Sequence, residues 1–264
     1  MAMFFNPLVF PTLLLGASLY AAGYRIAGGD LSPSLRRRLL AGSLILCLPG
    51  LSFLLYYLHL VREPAWYVEF RSWPFVESAS ALWGFLFGLV ARDRPFAGKW
   101  LKLRLSMLLV FVPFAKPVLL PLGRAPFNDA WEEGVCLQST MATCGPCSLA
   151  TVMTALGVPE KERDVARAAF SALTGTENWY LIRHARRRGL RAEVGDRAVL
   201  ADISPPAILG VRLPGGAGHF ITYLADERGR RVFGDPLSGR LLLTDEQFSK
   251  TYDFTGWAIA FARQ

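Results

Sequence analysis

The sequence predicts a multi-pass α-helical membrane domain of about four helices, followed by an α+β domain. Three observations lead there. The 264 residues are 52% hydrophobic and 19% charged, with a mean hydropathy of +0.30. That is too apolar for an ordinary soluble domain and far too apolar for a disordered chain. Long uncharged runs recur through residues 1–123. From residue 124 onward charges become frequent, glycine and proline turns appear, and helical patterning gives way to strands.

The membrane half follows from four runs. Residues 1–24 carry no charge and contain the first expected span, 4–24. It lacks a basic n-region and is longer than a signal-peptide core, so it reads as a retained helix. The second span is 39–61, the third 72–91 with Glu77 inside it, and the fourth 105–122 with Lys116 inside it. Each approaches the 20 or so apolar residues that cross a bilayer. Pro113, Pro117 and Pro121 should kink the fourth. Glu77 and Lys116 lie near helix ends and are expected to snorkel toward water.

Charge orients the spans. Residues 1–123 hold 12 Lys and Arg against 5 Asp and Glu, whereas 124–264 hold 17 against 16. The excess therefore sits between apolar runs, which argues against nucleic acid as the partner. The first loop carries Arg25, Arg36, Arg37 and Arg38, and the third carries Arg92, Arg94, Lys99, Lys102 and Arg104. The second has only Arg62 and Arg71, offset by Glu63 and Glu69. Loops one and three should face the cytoplasm, leaving residues 124–264 outside it. The expected location is the inner membrane of a bacterium, with the lipid bilayer as one partner.

The second domain should begin with a helix over 144–156, opened by Gly145-Pro146 and stopped by Gly157. Helices over 161–173 and 177–188 follow. Strands are expected at 207–213, 219–225, 230–234, 240–243 and 257–262, with a short helix at 245–250. Helices first and antiparallel strands second make an α+β domain.

Four residues carry candidate chemistry: Cys144, His219, Asp235 and Gln138. Cys144 opens its helix, where free amides and the helix dipole favour a thiolate. A thiolate nucleophile needs a base. His219 begins one strand, Asp235 ends the next, and the turn at 226–229 brings them side by side. Gln138, six residues before Cys144, can donate to an oxyanion. Cys147 reads as a core thiol or a redox partner of Cys144, Cys136 as structural or paired, and Cys47 as a packing residue. His184 and the basic run Arg183–Arg191 read as a solvated helix face. Three dispersed histidines give no paired ligand spacing, so neither metal nor cofactor is expected.

Gln138 with Cys144-Gly145-Pro146, then Gly218-His219-Phe220, then Gly234-Asp235-Pro236 with Ser238-Gly239, resembles the bacteriocin-processing, double-glycine-leader cysteine peptidases. The likeness spans residues 130–263. It implies a papain-like fold with Cys144 as nucleophile, His219 as base, Asp235 as its orienter and Gln138 in the oxyanion hole. The family's usual acidic residue before the cysteine is Thr143 here, and no GxxxxGK[ST] nucleotide motif is present. The four expected spans stand in place of a transporter segment, so the expectation is a membrane-anchored, stand-alone peptidase of peptide or protein substrates, working beside an export or envelope-assembly machinery. Two alternatives share these residues: a thiol-disulfide oxidoreductase using the CxxC of Cys144 and Cys147, and a catalytically silent binding domain.

Overall fold

A computed structural model describes residues 4–60, 63–92, 98–123 and 125–264. Arg62, Arg94 and Arg124 lie outside the described residues. The chain divides into two compact units. One comprises Asn6–Arg62 and Pro74–Val118, the other Met1–Phe5, Glu63–Trp73 and Leu119–Gln264.

The apolar unit contains α1 (Val9–Ile26), α2 (Pro33–Leu46) and α3 (Leu48–Tyr57). The other unit's first helix is α4 (Ala65–Ser72), and the apolar unit continues with α5 (Leu82–Val90), α6 (Lys99–Phe111) and α7 (Ala115–Leu119). Among the described residues no single helix is long and apolar enough to cross a membrane. The run expected as one span over 39–61 is two helices bent by 45° at Cys47, where Pro49 cannot donate to the preceding turn. The third run opens with a 3-10 turn, Val76–Ala81, ahead of α5. In the fourth, α6 ends at Phe111 just ahead of Pro113, and a 3-10 step leads into the short α7, which contains Pro117, so the run is broken as the sequence suggested. Glu77 is fully buried, contrary to the expectation that it snorkels.

Helix α1 packs closely against α5. A methyl group on Gly84 would collide with the Gly16 carbonyl, and one on Gly88 with the Tyr20 carbonyl. Gly84 and Gly88 form a G-x-x-x-G pair, the small-residue spacing that lets helices approach in lipid. Polar contacts reinforce the unit: Ser80 Oγ donates to the Val110 carbonyl at 2.8 Å, and Tyr20 Oη to that of Lys99 at 2.6 Å.

The second unit is α+β. It continues with a hairpin of β1 (Ala130–Glu132) and β2 (Val135–Leu137), whose turn residues Glu133 and Gly134 both have positive φ. Two such residues suit the tight turn that matches strand twist. Three helices follow: α8 (Cys144–Ala155), α9 (Glu162–Ala168) and α10 (Asn178–Arg187). Then come β3 (Leu190–Gly195), β4 (Ala207–Arg212), β5 (Gly218–Glu227), β6 (Arg230–Asp235) and β7 (Gly239–Leu243), with α11 (Asp245–Thr251) and β8 (Asp253–Arg263) closing the chain. The six-stranded antiparallel sheet has the order β3-β8-β4-β5-β6-β7. Its core includes Leu209, Val211, Ile221, Tyr223 and Phe233 from the sheet, and Phe248 from α11.

The sequence located α8, α10, α11 and five of the strands, with ends differing by a few residues. It missed β1, β2 and β3. Helix α9 stops at Ala168 rather than running to 173, and Phe170 adopts positive φ just beyond it.

The segment Glu63–Trp73 belongs to the α+β unit. Arg186 grips both carboxylate oxygens of Glu69 at 2.9 and 2.7 Å. Arg183 donates to the carbonyls of Arg71 and Ser72, and the Arg71 guanidinium, itself fully buried, lies 3.9 Å from the centre of the Trp179 ring. Asp196 accepts from the Ala65 amide at 2.9 Å. This corrects the reading of Arg183–Arg191 as a solvated face for Arg183, His184 and Arg186, whereas Arg187, Arg188 and Arg191 are exposed as expected. Arg183 and His184 are buried, and His184 bonds Glu160 at 3.0 Å.

Candidate active site

Three elements converge on the site. Helix α8 presents Cys144 at its first position, and this thiol is half-buried and free. Strand β5 carries His219, and β6 ends at Asp235. Thr222 pairs with Gly234 across these strands. One step further places Asp235 opposite Ile221 and diagonal to His219, so both side chains share a face. Gly234 is glycine for a local reason. A side chain there would press on Thr222 Oγ1 and on Val135 of β2. Ser148, one turn along α8 from Cys144, donates to the Phe220 carbonyl at 3.1 Å and keys the helix to β5.

His219 Nε2 lies 2.8 Å from Asp235 Oδ1, and both side chains are buried. With Nε2 engaged, Nδ1 is the ring nitrogen left to serve the Cys144 sulfur, whose proximity acts electrostatically on the imidazole. Burial opposes a charge on His219. The hydrogen bond to Asp235, and the electrostatic influence of Asp235 and Cys144, outweigh it and raise the imidazole to about 9. Burial likewise opposes charge on Asp235, but bonds from His219, Tyr252 and the Leu237 amide hold its carboxyl below the usual range. The pair is therefore imidazolium and carboxylate at neutral pH.

Gln138 sits immediately after β2. Its backbone amide donates to the Pro236 carbonyl at 2.9 Å, which ties the glutamine to the loop following Asp235. Its side-chain Nε2 donates to the Thr140 carbonyl at 2.9 Å, while Oε1 is buried without a hydrogen-bond partner. The amide thus has one well-made bond and a second hydrogen whose nearest acceptor is Met141 Sδ at 4.0 Å. The loop between Gln138 and Cys144 is braced throughout. Thr143 Oγ1 donates to the Thr140 carbonyl, and Glu162 accepts from both the amide and hydroxyl of Ser139 at 2.9 and 2.5 Å.

Sequence reasoning missed Glu162, a fully buried carboxylate at the start of α9. It also missed the partner of Cys147. Cys136 and Cys147 form a disulfide with Cα atoms 5.2 Å apart, joining β2 to α8. Cys147 is therefore neither a free core thiol nor bonded to Cys144. The sequence left Cys136 open as structural or paired; it is both. Cys136, Cys147 and Glu162 offer three potential ligand atoms within 4.8 Å of one another, but the sulfurs are bonded together and Glu162 is engaged by Ser139.

The Peptidase C39 family model matches residues 132–264. The chain belongs to the Peptidase C39 family. That makes its α+β unit a cysteine peptidase domain. Two archaeal relatives match the chain over about the same length. An uncharacterized protein of Methanothermobacter thermautotrophicus is 33% identical over 132 residues, covering 50% of this chain and 90% of the relative. An uncharacterized protein of Methanothermobacter marburgensis is 32% identical over 133 residues, covering 50% and 91%. Among solved structures, the peptidase domain of Streptococcus ComA, a bi-functional ABC transporter involved in quorum sensing, has a TM-score of 0.44. Its identity is 20%, over 49% of this chain and 98% of that domain. A double glycine motif protease from an AMS/PCAT transporter, in complex with its leader peptide, has a TM-score of 0.43 and 21% identity, over 55% and 97%.

Proposed function

We propose that this C39 peptidase is a membrane-anchored enzyme that hydrolyses a peptide bond in an exported or membrane-associated peptide, outside the cytoplasm. The observation that carries the chemistry is the buried His219–Asp235 pair beside a free Cys144. A Cys144 thiolate attacks the scissile carbonyl. The His219 imidazolium gives its proton to the leaving amine, and in the second step takes one from the water that opens the thioester. Asp235 keeps the imidazole in the required tautomer and orientation. The Cys144 backbone amide at the start of α8 and the second amide hydrogen of Gln138 stabilise the oxyanion.

Anchoring is supported by several features. The apolar unit exposes Phe10, Leu14, Leu44, Ile45, Leu46 and Leu108. It contains the Gly84/Gly88 close approach, and its loops carry the basic excess. Loop two and the peptidase domain were assigned to one side by charge, and Glu63–Trp73 is part of the peptidase unit. The Cys136–Cys147 bond suits an oxidising compartment. The substrate is proposed to be a leader-bearing or membrane-delivered peptide, reached beside an export or envelope-assembly machinery.

The test compares exported peptides from cells carrying wild type or Cys144→Ala. A precursor should accumulate uncut in the variant. Identical peptide sets in both strains refute the reading.

A further inference from the structure

We propose that Tyr252 is a positioning residue for catalysis, holding the Asp235 carboxylate in line with the His219 imidazole. The inference rests on the Cys144–His219–Asp235 reading above.

Asp235 is 3% exposed. A buried carboxylate is tolerated when its lone pairs are met, and this one meets four donors, two on each oxygen. Oδ1 accepts from His219 Nε2 at 2.8 Å and from the Leu237 amide at 2.9 Å. Oδ2 accepts from Ser238 Oγ at 3.1 Å and from Tyr252 Oη at 2.5 Å. The tyrosine bond is the shortest, as a bond from a hydroxyl to an ionised carboxylate should be. Leu237 and Ser238 lie in the same turn as Asp235 and move with it. Tyr252 comes from 17 residues away, beyond α11. Apart from His219, it alone among these donors ties the carboxylate to a separate part of the domain.

Helix α11 is built to hold that ring still. Thr244 and Gln247 close its N-terminus with a reciprocal capping box. Phe248 stacks on Phe233 of β6 at 4.7 Å and lies 5.7 Å from the Tyr252 ring. The Tyr252 amide donates back to the Phe248 carbonyl at 2.8 Å. Burial and the Asp235 charge both disfavour phenolate, so the hydroxyl remains a donor. Of the titratable groups named around this carboxylate, His219 and Tyr252 touch it directly and Cys144 acts through His219.

The experiment measures kcat/KM against pH for full-length wild type, Tyr252→Phe, Ser238→Ala and Asp235→Asn. Tyr252→Phe should lose roughly tenfold or more at neutral pH, consistent with one charge-assisted bond. Its acid limb should move to higher pH, because Asp235 loses a donor that favours the charged form. Ser238→Ala should move that limb the same way by less, and reads the same oxygen should Tyr252→Phe fail to fold. A uniform loss with no moved limb, or an unchanged profile, in folded Tyr252→Phe overturns the proposal; should that variant not fold, an unchanged Ser238→Ala profile overturns it. Asp235→Asn separates the two claims. If it retains full activity, the triad reading falls. If it loses activity while Tyr252→Phe does not, only the role of Tyr252 falls.

Discussion

Removing Cys136 should do two separable things. The Cys136–Cys147 bond closes a loop with a sequence separation of 11. Loop-closure entropy for so short a loop gives about 3 kcal/mol of stabilisation. For a unit of this size, that corresponds to a melting point about 10 °C lower in Cys136→Ser. The second effect is chemical. Cys147 lies three residues after Cys144 on α8, so the two share a helix face. In the native protein Cys147 is occupied by Cys136. Once freed, in a glutathione disulfide buffer, Cys147 should bond to Cys144 and remove the nucleophile. Two electrons pass to glutathione disulfide, which leaves as two thiols. Cys136→Ser should therefore cleave peptide only after reduction, whereas wild type cleaves without it. The double variant Cys136→Ser/Cys147→Ser should keep the lower melting point yet regain reductant-independent cleavage. The assay is hydrolysis of a fluorogenic peptide by detergent-solubilised protein, with and without dithiothreitol, beside a thermal melt. A single variant that stays active in glutathione disulfide, or a double variant as reductant-dependent as the single, refutes the reasoning.

His219→Ala should lower turnover by about 10²–10⁴-fold without unfolding the domain, and Asp235→Asn by a smaller or comparable factor; normal turnover by both folded variants would dispose of the triad. Cleavage by wild type should fail as pH rises through about 9, where the imidazolium loses its proton, and in Asp235→Asn that limb should move to lower pH. The same raised value makes a stabilising contribution that is full below the ordinary histidine pKa of roughly 6.5 and fades as pH rises through about 9, visible as a falling melting point. Alkaline phosphatase fused after Gln264 should be active; an inactive phosphatase together with a fluorescent GFP fusion would place the peptidase in the cytoplasm.

The sequence was most legible where one local rule governs. Gly145-Pro146 opening α8 and Gly157 ending it are turn and cap chemistry, readable from neighbours alone. Adjacent antiparallel strands made the His219–Asp235 pairing readable too, because register there depends on one short turn. What escaped notice depends on partners distant in the chain. Arg183 and Arg186 look like a solvated face until Glu69 and the Arg71 and Ser72 carbonyls arrive from more than a hundred residues upstream. Glu162 looks like any helix-start acid until Ser139 meets it. The β1–β2 hairpin could have been found, since Glu133-Gly134 between two short apolar stretches is a turn signal. Its three-residue strands are too short for a clear period of two. The apolar runs were visible as composition, but the bend at Cys47 depends on proline placement and packing that hydropathy does not weigh.

The inclusion of Glu63–Trp73 in the peptidase unit bears on how this enzyme can be moved or inherited. A catalytic module that is one continuous stretch can be shuffled by a single recombination event or cloned with one pair of primers. Here such a cut at residue 124 would leave behind the partners of Arg183, Arg186 and Asp196, and strip the cover from Trp179. Grafting this peptidase onto another carrier would need two separated gene segments to travel together. In this chain, exchanging the catalytic stretch without the strap would leave those partners unmatched, so the two must travel as a pair.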